Sequence, residues 1–96
     1  MSDQPLDDDQ IVAALEDLPD WQRAEDRLQR TFAFSDFRAA MAFMVRAGFE
    51  AEQRNHHPEW TNVYNRVQVS LNTHSADGKI TAKDVDLAKA FDRVVG

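Results

Sequence analysis

The chain has 96 residues, 43% of them hydrophobic and 29% charged, with a net charge of −6 from 11 basic and 17 acidic residues. That length fits one two-layer core and not two, and an acidic balance argues against a binder of phosphate backbones, which needs a basic face. Cysteine is absent, so disulfides and thiolate chemistry are excluded.

The start, MSDQPLDDDQ, has no basic end and no apolar run, so it does not read as a signal peptide. Residues 1–6 are expected to fray ahead of a single domain spanning 1–96. No window approaches the ~18–20 apolar residues of a membrane span, so a soluble cytoplasmic protein is expected. In DDDQIVAALEDLPD, Ile11, Ala14, Leu15 and Leu18 recur at helical spacing behind aspartates that suit the helix dipole, and Pro19 closes the helix. The period then changes. Leu28, Phe32 and Phe34 share one strand phase interrupted by Arg30, so Trp21–Phe34 reads as a hairpin turning near Glu25–Asp26.

Helical spacing returns in SDFRAAMAFMVRAGFEAEQRN, with Ser35 as the expected N-cap. Phe37, Met41, Met44 and Gly48 form one apolar stripe; Ala39, Ala40, Phe43 and Ala47 form a second. A single sheet cannot cover both, so other helices or another subunit must cover the remainder. After NHHPEW, two strands are expected at Trp60–Tyr64 and Val67–Asn72, joined at Asn65–Arg66. Val67, Val69 and Leu71 alternate with polar residues, as a sheet with one buried face requires. SADGKI is a turn, and Thr81–Asp84 has capping-box spacing for a last helix with Val85, Ala88, Phe91 and Val95 inward. The expected class is α+β: a four-stranded antiparallel sheet with three helices on one face, in the order α-β-β-α-β-β-α.

The chain has three histidines, and two are adjacent: His56 and His57, in front of Pro58, which pushes His57 toward extended backbone. His74 follows the strand that pairs back onto the one after Pro58. Hairpin geometry therefore returns it beside His56 and His57, near Trp60. Three readings stand: loop histidines satisfied by backbone or water, a metal site, or metal-free acid–base catalysis. Adjacent residues rarely ligate one ion, and no HxH or HxxxH spacing is present. Imidazole gives and takes protons near neutrality, and clustering keeps some rings neutral, so acid and base forms coexist. A nucleophile elbow is missing, and Gly48, Gly78 and Gly96 stand too far apart to cradle a phosphate.

These residues carry a resemblance. Glu52, then His56-His57-Pro58, Tyr64 six positions after the proline, His74 near a strand end and a later Asp84 resemble the signature of pterin-4a-carbinolamine dehydratases. Trp21, LQRTFAFSDF and AEQRN are similar to the flanking segments, over roughly residues 15–94. The resemblance implies the same α+β fold, assembled as a homodimer or homotetramer. It also implies dehydration of a 4a-hydroxytetrahydropterin to the quinonoid dihydropterin, with no metal, cofactor, nucleic acid or membrane involved. By the same resemblance His56 and His74 are proton donors, and His57 binds the pterin and serves as base. Pro58 fixes the loop, and Glu52 either orients His56 or is a solvated charge. Trp60 is expected as a flat wall for the ring, Tyr64 as a strand aromatic and Asp84 as a helix cap. Animal members also serve as dimerisation cofactors of a transcription factor, so an interaction module is the alternative reading.

Overall fold

A computed structural model of the chain describes residues 3–95. Helix α1 (Asp8–Leu15) is opened by Asp7, whose carboxylate accepts from the Gln10 N–H while the Gln10 side chain accepts from the Asp7 N–H, a complete capping box. The helix stops three residues short of the expected Leu18. Glu16, Asp17 and Leu18 continue with tighter bonds to Ala13, Ala14 and Leu15, because Pro19 disfavours helical backbone just before it. Leu18 is nonetheless buried in the core.

Strands β1 (Gln22–Ala24), β2 (Arg27–Ala33), β3 (Glu59–Val63) and β4 (Arg66–Leu71) form one antiparallel sheet in the order β1-β2-β4-β3. The first turn falls at Glu25–Asp26, as expected. The second falls at Tyr64–Asn65, one residue before the expected place. Glu25 (φ 54°) and Tyr64 (φ 51°) take left-handed backbone there, which costs about 1–2 kcal/mol each for a residue with a Cβ. Tight two-residue turns suit the twist of the flanking strands and offset that cost.

Leu28, Phe32, Val67, Val69 and Leu71 face inward, and Arg30 resolves its interruption without leaving the core face. Its guanidinium lies 4.1 Å over the Phe32 ring and pairs with Asp92 at 2.6 Å. Gln29, Thr31, Thr61, Gln68 and Ser70 lie on the other face, which no helix covers among the described residues.

Helix α2 (Phe37–Gln53) is capped by Asp36 in place of the expected Ser35; the Asp36 carboxylate accepts from the Ala39 N–H at 2.9 Å. It buries Ala40, Phe43, Ala47 and Ala51, which settles the two stripes. The alanine–phenylalanine stripe is core, while Phe37 and Met41 stand exposed in an i, i+4 row with Val45 and Phe49. Helix α3 (Ala82–Val95) buries Leu87, Ala88, Ala90 and Phe91, with Val85 partly covered. Val95 lies outward instead of inward, and its neighbour Val94 packs against the core.

The stretch expected to fray makes two backbone contacts with the segment before α3. Pro5 bridges Thr81, and the Leu6 N–H donates to Ile80 at 2.8 Å; residues 1–2 lie outside the described residues. No described helix is long and apolar enough to cross a membrane.

Candidate active site

The histidine pair is aimed by the way α2 ends. Asn55 takes left-handed backbone (φ 50°) just after the C-cap Arg54. The Asn55 N–H then donates to Glu52 O at 3.0 Å and the His56 N–H to Ala51 O at 3.0 Å. This is a Schellman ending with asparagine where glycine is usual. It reverses the chain so that His56 turns in beneath the last turn, and Pro58 leads directly into β3. Asparagine immediately after an apolar-periodic run is a stop signal the sequence carries, but the reading above runs the helical segment through Asn55.

His74 arrives from the other side. The pairing Glu59↔Ser70 sets the start of β3 against the end of β4, so Thr73 and His74 come back beside Pro58. A single-turn 3₁₀ helix at His74–Ala76 then carries the chain into a reversal through Asp77 and Gly78, both with positive φ. All three histidines line one open cavity of about 630 Å³, together with Pro58 and Asn72. That volume suits a ligand of bicyclic size.

The three rings differ in what holds them. His56 is buried, and its Nε2 lies 2.6 Å from Asp84 Oδ1; Asp84 is 0% exposed. His57 is exposed, and its Nε2 lies 2.7 Å from Glu52 Oε1. The ring of His74 is exposed and has no hydrogen-bond partner among the described residues. Two expectations are corrected here. Glu52 meets His57 and not His56, because it projects from the wet face of the last turn of α2 while His56 turns inward. Asp84 is more than a helix cap: its Oδ2 accepts from the Thr81 N–H at 2.9 Å, as a cap should, and its Oδ1 engages His56.

The aromatic expected as a wall is elsewhere. Trp60 pairs with Val69, a core-facing position, and stacks on Phe91 with ring centroids 6.0 Å apart. It is not among the residues lining the histidine cavity. Strand alternation explains this: the cavity lies at the end of the sheet, whereas Trp60 points into the layer between sheet and helices. Tyr64 stands at the far end of β3, about 17 Å away along a five-residue strand, and is exposed.

The sequence reading also missed the rim. Lys83 Nζ lies 3.2 Å from Asp3 Oδ2, and Ser75 Oγ donates to the same carboxylate, so the N-terminal segment reaches the cavity edge. The Ser75 hydroxyl and then the Lys83 ammonium hold the Asp3 carboxyl below its ordinary value of 3.8.

A four-stranded antiparallel sheet with a histidine-lined cavity at its end defines the chain as an α+β protein. The family model for pterin 4 alpha carbinolamine dehydratase matches residues 4–94, and the chain belongs to that family. A relative from Opitutus terrae, provisionally named as a pterin-4-alpha-carbinolamine dehydratase, is 56% identical over 84 residues, covering 88% of this chain and 87% of its own. One from Rhodospirillum rubrum with the same provisional name is 48% identical over 93 residues, covering 95% and 96%. A crystal structure described as a transcriptional coactivator/pterin dehydratase from Brucella melitensis superposes with a TM-score of 0.92 at 38% identity, covering 97% of this chain and all of the other.

Proposed function

We propose that the chain dehydrates a 4a-hydroxytetrahydropterin to the quinonoid dihydropterin by general acid–base catalysis from its histidines. The observation that carries this is the meeting of His56, His57 and His74 in one cavity with three different surroundings. The reaction breaks the C4a–O bond. The hydroxyl leaves as water with a proton from an imidazolium, and a ring nitrogen gives its proton to a neutral imidazole. Protons balance and no electron changes hands. His56 and His74 serve as donors; His57, steadied by Glu52, binds the pterin and accepts. Pro58 holds the loop in place. A direct dehydratase assay on the purified protein tests this, and turnover at the uncatalysed rate would dispose of it.

A second reading, a protein-interaction module such as a dimerisation cofactor of a transcription regulator, draws support from the exposed row Phe37, Met41, Val45 and Phe49. The coactivator description of the Brucella relative points the same way. Self-association into a homodimer or homotetramer would cover that row as well. Sedimentation at micromolar concentration should then show a species larger than the 11.0 kDa monomer. Cells complemented with His56→Ala distinguish the readings: an interaction module still works, a dehydratase does not.

A further inference from the structure

We propose that Thr73 and Thr81 form, with Asp84, a one-way hydrogen-bond chain that fixes a proton on Nε2 of His56 and leaves Nδ1 as its working atom. Thr73, Thr81 and Asp84 are all buried, so the donors can be counted. Asp84 Oδ2 accepts from the Thr81 N–H at 2.9 Å and from Thr73 Oγ1 at 2.8 Å. A threonine hydroxyl has one hydrogen, and that of Thr73 is used on Asp84. At the 2.7 Å contact between the two hydroxyls, Thr81 must therefore donate and Thr73 accept. Thr81 Oγ1 keeps a lone pair for the Lys83 N–H at 3.2 Å. Every bond thus points from the α3 N-terminus toward the carboxylate.

Two donors already occupy Oδ2, and the remaining oxygen, Oδ1, faces His56 Nε2 at 2.6 Å. Two lone pairs at that distance would repel, so a proton lies between them, and the ionised carboxylate places it on the imidazole. Nδ1 has no partner among the described residues and is the nitrogen left to exchange a proton in the cavity. The other two rings have no such constraint: His57 meets an exposed carboxylate, and His74 meets none among the described residues. Thr73 also directly precedes His74, so one buried hydroxyl joins the two segments that supply the proposed proton donors. Thr73 and Thr81 are positioning residues and do not themselves touch the reacting atoms.

The catalytic consequence rests on the dehydratase reading; the tautomer does not. On protein labelled with ¹⁵N-histidine, the His56 signals are identified by their loss in His56→Gln. The neutral ring should show a protonated Nε2 and a bare Nδ1, and a protonated Nδ1 would overturn the proposal whether or not the protein is active. Thr73→Val keeps the shape and removes the hydroxyl. It should mix the two tautomers and lower kcat about 10-fold with KM little changed, as loss of a buried orienting partner does elsewhere; Thr73→Ser should restore both. Thr81→Val, one bond further out, should move the same readouts less and covers the case in which Thr73→Val does not fold. An unmixed tautomer in the folded valine variants would refute the role of the hydroxyls. A tautomer that mixes in a protein without turnover would leave the proposal standing and sink the dehydratase reading.

Discussion

Two histidine–carboxylate contacts of nearly the same length stand a few ångströms of chain apart and have different physics. His56–Asp84 spans 2.6 Å with side chains 9% and 0% exposed; His57–Glu52 spans 2.7 Å with 58% and 76% exposed. Distance alone does not rank them. The buried pair is locked by the Thr73 and Thr81 donors behind it, whereas the exposed pair competes with water and can open to admit a ligand. One ring is held in place, and the other is free to move.

The largest break of this contrast is Asp84→Ala. It leaves the His56 proton, the Thr73 hydroxyl and the Thr81 N–H buried without their acceptor, a loss of about 3–5 kcal/mol by the behaviour of broken buried pairs. Urea denaturation should show it, and dehydration should fall with it. A variant as stable as the parent would mean that water reaches the pair.

Replacing the rings themselves separates chemistry from stability. His56→Ala and His74→Ala should each cost about 10²–10⁴-fold in rate, and each more severely for one 4a-stereoisomer, if the two donate to opposite faces of the pterin. Only His56→Ala should also lower the melting temperature, because His74 is exposed and leaves nothing buried behind. Equal losses on both stereoisomers would refute the division of labour between the two rings. A chelator should leave these rates unchanged, and zinc-dependent recovery would contradict proton transfer by histidine alone.

At the exposed pair, Glu52→Gln should change stability by less than about 1 kcal/mol. Its effect belongs in KM for both stereoisomers, shared with His57→Ala, while kcat moves less. A Glu52 variant that matched Asp84→Ala in denaturant would show the two contacts to be equivalent after all.

The smallest effect lies at the rim. The Asp3 carboxyl is held below 3.8 in the folded chain, so its contribution is fully present above that value and is lost as pH falls through the lower folded value. The protection factors of the Gln4 and Leu6 amides should be steady near neutrality and fall only in strong acid. In Asp3→Asn the same amides should exchange faster at every pH.

Local pattern carried far across this molecule. Two-residue turns, the alternation of Val67, Val69 and Leu71, and helical spacing gave the element order, and antiparallel pairing then brought His74 to His56 and His57. Where two neighbours offered similar chemistry, pattern slipped by a residue, as with Ser35 and Asp36 as caps. The swap of carboxylates has a different origin. Glu52 is four residues from His56 and Asp84 is 28, and spacing favours the nearer one. The Schellman ending at Asn55 decides otherwise by rotating His56 under the helix, away from the face Glu52 occupies.

By itself, the sequence determined the α+β order, the two hairpins and the gathering of every histidine at one end of the sheet, because periodicity and turn chemistry act between near neighbours. Tertiary structure alone decided that Trp60 stacks on Phe91, that Phe43 and not Phe37 belongs to the core, and that Asp84 holds His56. Those outcomes depend on which faces the packed helices leave dry. A carboxylate sealed from water must find donors across the fold, and a one-dimensional pattern does not contain that requirement.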